Sequence, residues 1–217
     1  MKRTTVLPAL AALLFGLTLP ACYGMGRRSS VHGFESGPSP KPTVETFASM
    51  AHILASQGKD GEVEVVLLEL IKRHPEYMPA YNELCEVYMR NDRIDRALKI
   101  LDRGLEQDPD DAVLCNNLGM CLLLRADYGA AADAFQRAVE ARPADARFTG
   151  NLASAQGMAG NFDDSLASYL EIVPPSDAHH NVAVLAQAFG DEGRATAEFA
   201  TAERLAQAAQ LDRRTRR

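Results

Sequence analysis

Apolar and polar positions follow two regimes along the chain. A short apolar run, Val6 to Leu19, stands behind Lys2 and Arg3. It is too short for a comfortable membrane span. Residues 22–43 then lose any apolar period; after Cys22, Gly24, Gly26, Gly33, Gly37, Pro38, Pro40 and Pro42 alternate with serines. Such a stretch buries little surface and is expected to be a flexible tether. From Val44 onward apolar residues recur at helical spacing, and the pattern repeats.

The clearest copies are Met78–Asp111 and Ala112–Asp145, each 34 residues long. In register, Tyr81 matches Cys115, Leu84 matches Leu118 and Cys85 matches Gly119. Further on, Ala97 matches Ala131, Leu101 matches Phe135, Gly104 matches Ala138 and Pro109 matches Pro143. Small residues at Gly119, Ala131 and Ala138 let two helices approach closely. Leu118, Leu122 and Phe135 fill the space between them. Pro143 closes the second helix. One such unit cannot cover its own apolar face, so copies must stack.

The length and residue types resemble the tetratricopeptide repeat, a helix-turn-helix unit. The expected units are 44–77, 78–111, 112–145, 146–175 and 176–209. Phe47, Met50, Ala51, Leu54, Gly58, Leu67 and Pro75 occupy the slots of the first, with Val63 where the others carry a small residue. The fourth is four residues short, so its second helix should end early at Val173-Pro174-Pro175. The second helix of the fifth should run on through Leu205 as a cap, leaving 210–217 as a frayed basic tail. The resemblance implies an all-α fold, a right-handed superhelical solenoid of about five repeats, with the first helix of each unit lining the concave face.

Residues 1–21 have the layout of a secretory signal peptide. Leu19-Pro20-Ala21-Cys22 resembles the lipobox of bacterial lipoproteins, in which the cysteine carries the lipid and begins the mature chain. Ordinary cleavage after Ala21 would instead leave a soluble exported protein. Tyr23 after the cysteine, rather than the Asp that family uses for inner-membrane retention, implies the outer membrane facing the periplasm.

Within the repeats, Asn117, Asn151 and Asn181 occupy one slot of three successive inner helices. An amide carries one acceptor and two donors, which complements an extended peptide. Such asparagine ladders hold peptide backbones in superhelical members of the repeat family. Each Asn could instead bond only a neighbouring helix or turn. Asn82 and Asn116 occupy an adjoining slot expected to face the same groove. Met89, Met120, Leu124 and Met158, with Val113, Leu123 and Val184, give the groove an adaptable apolar character, or they belong to the core. The Lys and Arg slots of the carboxylate clamp found in chaperone-binding members hold apolar or small residues here.

The remaining chemistry is sparse. The net charge is −6, without a basic stripe, which argues against nucleic acid. Cys85, Cys115 and Cys121 lack metal-ligand spacing; their odd number permits one disulfide, and packing alone would account for them. His179 and His180 are adjacent and would diverge on a helix, so no metal site is expected, and no motif implies a cofactor or an enzyme. Lipobox, tether and repeats together resemble pilus-assembly lipoproteins, above all the tight-adherence (Flp) member, through Asn117-Leu118-Gly119 and His180-Asn181-Val182-Ala183. That resemblance implies a protein partner such as a secretin or pilus component, with the lipid as the membrane contact. Service to barrel assembly or to peptidoglycan enzymes is the alternative.

Overall fold

In a computed structural model describing residues 41–216, the periodic pattern resolves into helix pairs. The expected signal peptide, Cys22 and the tether to residue 40 lie outside the described residues. The first pair is α1 (Val44–Ser56) and α2 (Asp60–Arg73). Then come α3 (Met78–Arg90) and α4 (Ile94–Gln107), and α5 (Ala112–Leu124) and α6 (Tyr128–Ala141). The fourth pair is α7 (Ala146–Met158) and α8 (Phe162–Leu170), the fifth α9 (Pro175–Phe189) and α10 (Glu192–Thr215). These ten make an all-helical solenoid with no strand among the described residues. As expected, α8 is short and stops before the Val173-Pro174-Pro175 segment. Helix α10 runs further than expected: residues 210–215 continue the helix instead of fraying.

Local chemistry sets the helix ends. Asp111 accepts from the backbone N–H groups of Val113 and Leu114 at 2.9 and 2.8 Å, satisfying two orphan donors of α5. Thr43, Asp145 and Asp191 cap α1, α7 and α10 in the same way. Within every pair the turn passes through one left-handed residue. These are Gly58, Asp92, Ala126, Gly160 and Gly190, recurring at one slot of each repeat. The first four are 34 residues apart and the last step is 30, shorter by the four residues missing from the fourth unit.

Packing follows the slots. Tyr81, Leu84, Leu101, Leu114 and Phe135 are fully buried. At the crossing within each pair stand Val63, Ala97, Ala131, Ser165 and Ala195. Ser165 satisfies its hydroxyl by donating to the Ala153 carbonyl at 2.7 Å. Gly119 admits Phe135: a Cβ there would lie 2.6 Å from the ring. Met50, assigned a core slot by its register, is exposed beside Ile53, because among the described residues no repeat stacks on that flank of α1. Polar clamps join neighbouring units. Asp60 accepts from Arg90 at 2.8 Å and from Asn91 at 2.6 Å, and Glu64 accepts from Tyr88, Arg93 and Arg96.

Candidate functional site

First helices pack on one another along the stack: α3 on α5, α5 on α7, α7 on α9. Second helices pack on the first helices either side of them, without comparable contact among themselves. Helices that approach most closely lie on the inside of a bend, so α3, α5, α7 and α9 form the inner face.

The asparagines meet there, mostly with one another. Asn151 Nδ2 donates to Asn116 Oδ1 at 2.8 Å. Asn116 Nδ2 makes a longer 3.4 Å contact with Asn117 Oδ1. Asn117 Nδ2 donates to Asn82 Oδ1, and Asn82 Nδ2 donates to Glu86 at 3.0 Å. One amide chain therefore runs from α7 through α5 to α3. Asn117 is only 7 % exposed, and its hydrogen bonds offset the cost of burying it. The half-buried Asn82, Asn116 and Asn151 form the outer edge of this chain. Asn181 is half-buried on α9 and does not join it. The residue that would meet it one repeat back is Gly150, which has no side chain.

The apolar residues divide. Met89 and Met120 are half-buried and pack against core clusters, as do Leu122 and Leu123. Leu124, Met158 and Val184 are open to solvent, at 60 %, 41 % and 47 % exposure. Two carboxylates add a feature that the asparagine slots conceal. One repeat before Asn117 and Met120 the same slots hold Glu83 and Glu86 on α3. Partial burial, and then the neighbouring Glu86, push the Glu83 carboxyl above its ordinary value. Aligning the second repeat with the third, slot by slot, exposes this acidic end.

His179 and His180 diverge, as adjacent helical residues must. His179 Nδ1 lies 2.5 Å from Glu198, which also accepts from Arg194 at 2.7 Å. His180 stacks edge-on against Phe199. No group of three His, Cys, Asp or Glu side chains is placed to hold a metal among the described residues. Likewise no helix among them is long and apolar enough to cross a membrane. Two open surface depressions have about 550 Å³ at the Arg142–Arg147 turn and 390 Å³ between α9 and α10.

Comparison with protein families matches tetratricopeptide repeats to residues 54–114 and to residues 116–180. Comparison with curated proteins finds no match. Among solved structures, MamA is similar with a TM-score of 0.62 at 17 % identity, over 76 % of this chain and 92 % of that one. MamA from Desulfovibrio magneticus RS-1, from residue 41 to its end, aligns with a TM-score of 0.61 at 18 % identity, over 76 % of this chain and 96 % of that one. YrrB, described as a TPR protein with an unusual peptide-binding site, aligns with a TM-score of 0.61 at 17 % identity, over 81 % and 93 %. At these identities the likeness is one of fold.

Proposed function

We propose that this chain of tetratricopeptide repeats is a lipid-anchored envelope adaptor that holds a segment of a partner protein on its inner face. The observation that carries the reading is that face: Leu124, Met158 and Val184 are left exposed on successive inner helices, and the inner helix before them, α3, carries the exposed carboxylates Glu83 and Glu86. Apolar side chains in a row on a concave surface favour an apolar partner stripe, and the carboxylates favour a cation next to it. The amide chain acts chiefly as the frame of that surface, since each of its four Nδ2 groups already donates within it. A peptide-binding site on YrrB, a protein of the same fold, is consistent with this use of the repeats.

The finer assignment rests on the sequence. Lys2 and Arg3, the apolar run and Leu19-Pro20-Ala21-Cys22 support lipidation of Cys22. The glycine- and proline-rich segment to residue 43 then spaces the repeats from the membrane. With repeats following a lipobox and tether, the partner is a secretin or another pilus-assembly component, on the periplasmic side of the outer membrane. Nothing among the repeats supplies convergent catalytic groups, which favours binding over catalysis.

Photocrosslinking in intact cells tests the reading. A crosslinking side chain placed at Leu124 or Met158 should capture a secretin or pilus protein, while one at the exposed Val65 of α2 should not. Capture of barrel-assembly or peptidoglycan proteins from Leu124 would move the adaptor to other envelope machinery. Equal capture from Val65 would remove the inner face as the site. In the same cells Cys22→Ser should free the protein from membranes, and continued residence there would overturn the anchor.

A further inference from the structure

We propose that Cys85 and Cys121 are a disulfide-forming pair that bolts the second repeat to the third, while Cys115 stays a free thiol. The two sulfurs come from facing helices, α3 and α5, which pack directly on each other. Both residues are fully buried. Cys121, with Leu114 of its own repeat, joins the core cluster of the preceding repeat that holds Cys85, Leu84 and Tyr88. The two thiols are near enough that each is the largest influence on the other's titration. Cys115 faces elsewhere, its Sγ 3.7 Å from the Pro109 carbonyl in a different cluster. In the folded core the proximity of Cys85 holds the Cys121 thiol below its ordinary value, and that of Cys121 pushes Cys85 up.

The chemistry is thiol–disulfide exchange with an external disulfide. One of the two cysteines, as thiolate, attacks one sulfur of that disulfide, breaks its S–S bond and releases one thiolate. The other, once deprotonated, attacks the mixed disulfide at the protein sulfur and releases the second. Two protein thiols are oxidised, the external disulfide is reduced to two thiols, and two protons pass to solvent or to the departing thiolates. Because both sulfurs are buried, exchange belongs to the folding chain and not to the folded surface. The supply of oxidant in the cell rests on the export reading; the pairing itself does not. The bond lies one turn from the amide bond between Asn117 and Asn82, so it would hold α3 and α5 at the pitch that shapes the inner face.

The test is refolding of residues 23–217, which leaves out Cys22, with reduced and oxidised glutathione, followed by alkylation and mass spectrometry. The expected result is a loss of two hydrogens, a Cys85–Cys121 linked peptide and one alkylated thiol at Cys115. The melting temperature should rise by about 10 °C over the reduced form. Cys115→Ala should oxidise like the wild type, and Cys121→Ala should not. Three alkylated cysteines, or any link through Cys115, would overturn the pairing; the wild-type peptide map decides this even if a variant fails to fold. Pairing in vitro with reduced thiols in cells would leave the pair standing and count against export.

Discussion

Ala126 shows how one backbone angle weighs against side-chain identity. Its φ of 60° is the left-handed conformation that three of the five repeats give to glycine. A Cβ there costs about 1–2 kcal/mol, partly offset because glycine is freer in the unfolded chain. Ala126→Gly should therefore stabilise the fold by about 0.5–1 kcal/mol, as a raised urea midpoint at unchanged slope. Gly119 presents the opposite case. Its φ is ordinary, yet a Cβ would stand 2.6 Å from Phe135, a ring sealed on all sides. Gly119→Ala should destabilise by about 1–3 kcal/mol despite alanine's better helix propensity, because a full core cannot yield to one more carbon. Thermal unfolding followed by circular dichroism would separate the two signs.

At the scale of the helix, contacts between repeats set the behaviour. Asp60 at the start of α2 is bonded by Arg90 and Asn91 of the next repeat. The Arg90 bond, then that of Asn91, holds its carboxyl below the usual aspartate range. A depressed native carboxyl stabilises the fold above the unfolded value near pH 4, and the gain is lost as pH falls through the lower native value. The difference between wild type and Asp60→Asn should thus be present at pH 6 and shrink as pH falls below the unfolded value and through the lower native one. Urea midpoints across that range would check it; a difference that persisted in acid would show the amide, not the charge, to be the active change. Helices themselves were legible in the sequence because each slot repeats: small at Ala97 and Ala131, large at Leu101 and Phe135, proline at Pro109 and Pro143. The polar bonds were legible only in part. The sequence register aligns Asn117, Asn151 and Asn181, but the amides bond across adjoining slots, Asn117 to Asn82 and Asn151 to Asn116. That offset comes from the rotation and rise between repeats, which one-dimensional spacing does not carry. Met50 was misplaced for a related reason: its slot is apolar in every unit but is covered only where a preceding unit exists.

Across the whole stack, the asparagine chain and its interruption follow one rule. A rung forms where an Asn on one inner helix meets an Asn at the adjoining slot one repeat back, and it fails at Asn181 because Gly150 stands there. The Gly150 position has room, since a Cβ would meet only Ile172 Cδ1 at 3.5 Å, ordinary van der Waals contact. Gly150→Asn should therefore complete the third rung. Two effects act together: relief of glycine in a helix interior, worth a few tenths of a kcal/mol when Asn replaces it, and one net hydrogen bond of about 1 kcal/mol. Gly150→Ala would deliver the first effect without the second, so stability alone does not separate them. A double-mutant cycle of Gly150→Asn with Asn181→Ala does. It should return a coupling of about 0.5–1.5 kcal/mol, whereas a value near zero would mean that the pitch between the fourth and fifth repeats holds the two slots apart. Because α8 is the short helix of the stack, the step from α7 to α9 is where the repeat geometry is most altered, and this cycle measures whether the inner face keeps its spacing across it.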